Sequence, residues 1–256
     1  MIPIKDNIPT DRFPFVTLAL IVVNFVAYYL AIRHGGSFVG GPDTQEVVKY
    51  GAIPLTLTHP GWHCAVVPVG SQSAIGCIHH SLPGTLPAWE TIFTAMFMHA
   101  SLLHIGGNML FLWIFGNNVE EAMGPVKYLL FYLVGGVAAL ALQVAISPDS
   151  TAPTLGASGA IAAVLAGYIV LYPRAKVLTL VIIILFFTVI ELPAWVMIGI
   201  WFAEQAVFAA VNLTNPAGGG GGVAYFAHVG GFIFGLLTVR LLATRRKRLP
   251  PLRPVY

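Results

Sequence analysis

The chain predicts an all-α polytopic membrane protein, a bundle of six transmembrane helices with a long first outer loop, and three observations carry that class. Hydrophobic residues make up 57% of its 256 residues and charged residues only 9%, with a mean hydropathy of +0.82. Such a balance exceeds what one soluble core can bury. Apolar runs of spanning length recur at 13–32, 102–119, 128–146, 155–172, 192–211 and 223–242. Basic residues then collect on one side of those six runs.

The first run is twenty residues long, and no small-residue cleavage site stands out after it, so it is expected to remain as a span. No Arg- and Ser-rich transit pattern precedes it, which favours a plasma membrane, the bacterial inner membrane, over an organelle. Six spans put both termini on one side. If that side is the cytoplasm it holds Lys5, Arg12, Lys127, Arg174, Lys176, Arg240, Arg245, Arg246, Lys247, Arg248 and Arg253, eleven of the thirteen Lys and Arg. Only Arg33 and Lys49 fall outside. The net charge of +3 therefore reports topology and not nucleic-acid binding, and the basic tail 243–256 is placed to meet anionic lipid.

Residues 33–90 form the long outer loop, with five of the eight histidines and both cysteines. An oxidising exterior permits a Cys64–Cys77 disulfide; a mixed metal site of His59, His63, Cys64, Cys77, His79 and His80 is a rival without a recognisable zinc spacing. The third reading is a loop packed on the membrane surface without special chemistry. Residues 177–190 are strongly apolar but number only fourteen between Lys176 and Glu191, too few for a span, and are expected to be interfacial or re-entrant. Five consecutive glycines, Gly218 to Gly222, precede the last run and make a slack or gating entry to it. With no internal repeat, one domain is the simplest count.

Polar residues inside the apolar runs are the candidates for chemistry. His104 and Asn108, four apart, project from one face at the start of the second span. Interhelical hydrogen bonding accounts for such a pair without catalysis. Ser158, in Gly156-Ala157-Ser158-Gly159, opens the fourth span, and His228 opens the sixth. The topology sets all four near the outer surface at similar depth. Gly156, Gly159, Ala163 and Gly167, facing Gly231 and Gly235, would let two helices approach until a serine meets an imidazole; ordinary close packing uses the same glycines. No aspartate lies in a span, so a Ser–His pair would act without a third carboxylate, with His104, Asn108 and the Ser158 N–H as oxyanion donors. No His-Glu-x-x-His occurs, and no metal or cofactor motif is found. Glu204 in the fifth span, with Gln205 beside it, is either a buried structural group or part of a polar path, and Glu120 is expected to anchor an inner loop with Lys127 nearby.

The chain from Trp89 to Leu242 resembles the rhomboid intramembrane serine proteases. The resemblance is carried by His99-Ala100-Ser101-Leu102-Leu103-His104 with Asn108, by Gly156-Ala157-Ser158-Gly159-Ala160, and by Ala227-His228-Val229-Gly230-Gly231 with Gly235. It implies a rhomboid-like bundle in which Ser158 is nucleophile, His228 general base and acid, and His104 and Asn108 the oxyanion hole. It further implies scaffold roles for His99 and Glu120, and a lateral gate at the fifth span with Trp201 and Phe202. Single-span membrane proteins would be the substrates, cut near the outer leaflet through an acyl-enzyme. Two departures stand out: Glu90 follows Trp89 where the family often has arginine, and Ala162 stands where some members have an aromatic that supports the imidazole. The alternatives are a non-proteolytic relative that binds or escorts transmembrane clients, and a transporter or channel, which repeats or paired ionisable residues would have favoured.

Overall fold

A computed structural model describes residues 1–70, 72–183, 186–214 and 224–244 as a helical bundle carrying two small sheets. Strand β1 (Ile2–Asp6) leads into α1 (Phe15–Ile32); the outer loop then supplies α2 (Thr44–Tyr50), α3 (Pro54–Thr58), β2 (His63–Val69) and β3 (Gln72–Ile78). Next come α4 (Ala88–Thr94), a 3-10 turn (Ala95–Phe97), α5 (Leu102–Met123), α6 (Pro125–Ile146) and α7 (Ser158–Leu171). The chain closes with β4 (Lys176–Ile183), β5 (Phe186–Pro193), α8 (Ala194–Thr214) and α9 (Tyr225–Leu242). The glycine run and the basic tail from Arg245 onward lie outside the described residues.

Among the described helices, α1, α6, α8 and α9 are long and apolar enough to cross a membrane. A fifth arises if α4 and its 3-10 turn count with α5 as one span bent by 78°. Of the six expected spans, four or five thus meet the test of length and composition, and α7 is the one that falls short. It has 14 residues, about 21 Å at 1.5 Å per residue, well short of the ~30 Å hydrocarbon core. Every residue from Gly159 to Tyr168 is buried, so protein and not lipid surrounds the helix and nothing forces its length to match the bilayer. Its start is delayed by Gly156, whose φ of +118° no helix accommodates, and Pro173 follows its end.

Two small sheets, which the sequence reading did not anticipate, are added to the helical bundle. The described part of 177–190 lies in the antiparallel pair β4–β5, with Lys176 opposite Pro193 and the Lys176 Nζ–Glu191 Oε2 ion pair, 2.9 Å, near one end. The run is rich in Val, Ile, Thr and Phe, which favour strands, and β1 satisfies the other edge of β4. β1 is itself an edge strand with an irregularity between Pro3 and Lys5, where proline is tolerated. From its end, Asp6 Oδ2 accepts hydrogen bonds from Tyr168 Oη of α7 at 2.6 Å and Asn118 Nδ2 of α5 at 2.7 Å.

The outer loop is ordered around a small core of Val48, Ile53 and Cys64. Cys64 and Cys77, paired across β2 and β3, are joined in a disulfide, so neither sulfur remains to hold a metal. The loop is clamped to the α6–α7 connection. Ala52 and Thr154 exchange both backbone bonds, at 2.9 and 2.7 Å, and Leu55 N–H donates to Ser150 O at 3.0 Å.

Two local devices set the helices that bear the site. The Ser101 hydroxyl caps α5 by accepting from His104 N–H at 3.2 Å, and Gly124, φ +82°, ends it just before Pro125 opens α6. Glu120 near the end of α5 is buried and caps α1: its carboxylate accepts from Val16 N–H at 3.0 Å and from Thr17 N–H and Oγ1 at 2.8 Å. Its hydrogen bonds thus run to the start of α1, and not to an inner loop with Lys127.

Candidate active site

Ser158 is the first residue of α7 and His228 lies in the first turn of α9. The two helices touch through backbone. A Cβ placed on Gly231 would strike the carbonyl oxygen of Gly159, and one on Gly235 the carbonyl of Ala163, while Gly159 faces the Ala139 methyl at 2.6 Å from its own ideal Cβ position. With side chains absent from that seam, Ser158 Oγ and His228 Nε2 stand 2.7 Å apart.

The opposite side of the imidazole is held by α8. Gln205 Oε1 lies 2.7 Å from His228 Nδ1, and the Trp201 ring centroid is 5.8 Å from that of His228 at an interplanar angle of 40°. Ala162 is fully buried and offers the ring no aromatic support, so α8 takes over that task. The sequence singles out Gln205 only as the neighbour of Glu204, although it stands four residues after Trp201 and so shares a helix face with it. Glu204 beside it is exposed, which separates two residues that adjacency had paired.

His104 and Asn108, on the first two turns of α5, line the same cavity of about 430 Å³ as Ser158, Gly156, Gln205 and His228. His104 Nδ1 accepts from Ala100 N–H at 3.4 Å, which leaves its Nε2 to carry a proton. That Nε2 sits 3.0 Å from where a Cβ of Gly156 would be, so glycine is needed there for space as well as for φ. Asn108 Nδ2 is buried with no hydrogen-bond partner among the described residues, a donor without an acceptor at the cavity wall. The N-cap of α7, Ala157, offers no side-chain acceptor, and the first intrahelical bond is Ile161 N–H to Ala157 O at 3.0 Å. The preceding N–H groups, that of Ser158 included, have no acceptor within the helix.

His99 lies behind the site, fully buried, and its Nε2 accepts from Ala157 N–H at 3.5 Å. Its ring meets that of His104 edge-on at 5.1 Å, so it braces both the segment before Ser158 and a cavity-lining imidazole. Glu120 lies away from this cavity, at the α1 cap described above.

A model of the Rhomboid domain matches residues 87–245. The chain is 34% identical over 163 residues to Rhomboid-like protein 11, chloroplastic, of Arabidopsis thaliana, covering 61% of this chain and 54% of that protein. It is 30% identical over 151 residues to Rhomboid protein 1, mitochondrial, of Saccharomyces cerevisiae, covering 57% and 40%. It is also similar to Rhomboid protease GluP of Bacillus subtilis, at 26% over 157 residues, covering 61% and 24%. The chain thus spans about half or less of the length of these relatives.

Proposed function

The chain belongs to the rhomboid family, and from that premise we propose that it is an intramembrane serine endopeptidase that cuts transmembrane proteins near the outer leaflet. One observation carries the reading: Ser158 Oγ within 2.7 Å of His228 Nε2 at a cavity that is also lined by His104 and by Asn108, whose Nδ2 has no partner among the described residues. Ser158 Oγ attacks the scissile carbonyl carbon while its proton passes to His228 Nε2, and the carbonyl electron pair becomes an oxyanion. His104 Nε2–H, Asn108 Nδ2 and the Ser158 N–H are the donors for that charge, each worth a few kcal/mol when held ready. Collapse breaks the C–N bond, and the imidazolium returns its proton to the leaving amine. Water, deprotonated by His228, then cleaves the acyl-enzyme and frees Ser158.

The substrates are single-span membrane proteins, which must unwind locally to present a peptide bond to a cavity buried among helices. Both termini lie in the cytoplasm of a bacterial cell on this reading, with the disulfide-bonded loop on the oxidising side. Replacing Ser158 with Ala is expected to lower cleavage of a single-span model substrate in proteoliposomes by about three orders of magnitude or more, without loss of folded protein. A fluorophosphonate should label the wild type at Ser158. Cleavage by the purified Ser158→Ala variant at the wild-type rate would overturn the reading, and a folded wild type that neither labels nor cleaves would favour a client-binding protein.

A further inference from the structure

We propose that Gln205 is the positioning residue for His228, and that it readies the base only while α8 is seated on α9. The proposal rests on the serine-protease reading above. An amide oxygen accepts and never donates, so the 2.7 Å approach of Gln205 Oε1 to His228 Nδ1 fixes the imidazole proton on Nδ1. Nε2 is then left with a lone pair facing Ser158 Oγ at 2.7 Å. The other tautomer would put a proton between Nε2 and the hydroxyl and disable the base. In many serine hydrolases a carboxylate sets this tautomer. Here, among the described residues, none is hydrogen-bonded to the ring.

The groups around His228 make the assignment specific. α5 contributes His104, α7 Ser158, and α9 itself Tyr225, whose ring centroid is 6.5 Å away. α6 meets this turn of α9 with Ala138, Ala139 and Leu142 at Gly230, none of which titrates. α8 contributes Gln205 and Trp201, with Glu204 turned out and exposed. An uncharged amide is also cheaper to bury in a membrane than a carboxylate, and its oxygen still accepts the Nδ1–H hydrogen bond when the ring becomes an imidazolium.

The two sides of His228 differ in how firmly they are held. Against α7 the contact is glycine backbone on backbone, which cannot slide without clashing. Against α8 it is a row of rings: Phe202 on Phe232 with centroids 4.0 Å apart, Trp201 on His228, and Phe208 on Tyr225 at 5.3 Å. α8 is also the least buried of the four spanning-length helices, at 22% of its most apolar window. Gln205 therefore travels with the helix that can leave most easily. When α8 swings out, Ser158 and His228 stay together but the imidazole loses its acceptor; when α8 returns, the base is set again.

The test compares wild type with Gln205→Leu and Gln205→Glu in proteoliposomes, reading kcat, KM, the pH profile and fluorophosphonate labelling of Ser158. Gln205→Leu is expected to lower kcat by about 10- to 1000-fold, with KM within about threefold, because the acceptor is lost while the cavity keeps its shape. Gln205→Glu restores an acceptor, so it should recover at least about tenfold of that loss and move the acid limb of kcat/KM upward by about one pH unit. A thiol cross-link between Phe202→Cys and Phe232→Cys, holding α8 on α9, should leave labelling by the small fluorophosphonate at the uncross-linked rate. Wild-type kcat and pH limb in Gln205→Leu would overturn the positioning role, and slower labelling in the cross-linked protein would overturn its dependence on seated α8. A wild type that neither labels nor cleaves would instead fail the protease reading itself.

Discussion

Asp6 shows how much a single side chain at the edge of the bundle has to reconcile. It lies outside the spanning helices yet is tucked between β1, α5 and α7, and burial pushes its carboxyl up from 3.8 to about 6 against the opposing hydrogen bond from Tyr168. A raised carboxyl favours the folded state most when protonated. Its contribution is fully present below about pH 4 and is lost as pH rises through about 6. The thermal midpoint of Asp6→Asn relative to wild type should therefore climb between pH 4 and pH 7, and a difference that stays flat would rule the effect out. Polar residues like Ser158, His228, His104 and Asn108 stood out in the sequence because hydrocarbon makes every buried polar group conspicuous. Gln205 and Glu204 were equally conspicuous, but adjacent residues on a helix diverge by about 100°, and only the facing helix tells which of them has a partner.

Helices pack here by removing side chains as much as by fitting them. Gly231→Val would drive its Cβ into the Gly159 carbonyl, a backbone atom that cannot rotate away. Overpacking of this kind costs about 1–3 kcal/mol or more. The variant is expected to show a lower thermal midpoint and to lose fluorophosphonate labelling, because the same shift separates α9 from α7 and His228 from Ser158; unchanged labelling would mean that the seam tolerates a wider gap. That glycine stripe was legible, since small residues at helical spacing have few other uses in a membrane. The β4–β5 hairpin was not legible as strands. A short apolar run satisfies the length rule for an interfacial segment equally well, and its pairing partner β1 lies at the other end of the chain. The shortness of α7 was not legible either, because hydropathy cannot tell a helix sheathed in lipid from one sheathed in protein.

At the scale of the molecule, the outer loop, the α6–α7 connection and the site form one mechanical chain. The Cys64–Cys77 disulfide holds the β2–β3 hairpin, the hairpin packs on the loop core, and Ala52 grips Thr154 four residues before Ser158. Replacing both cysteines with serine should destabilise the hairpin by up to about 3 kcal/mol, seen as faster proteolytic nicking between residues 63 and 78. Equal nicking rates in both proteins would show that pairing alone holds it. The central position of α7 also bears on biosynthesis. With 14 residues α7 is too short to cross the hydrocarbon core by itself, and it leaves the ribosome after α5 and α6 but before α8 and α9 exist. Ser158 thus emerges on a helix that still lacks its α8 and α9 neighbours, and α9 delivers His228 later. On the protease reading, Ser158 and His228 stay apart in the growing chain until α9 has docked on α7, so the pair that would carry the chemistry cannot assemble before the fold around it does.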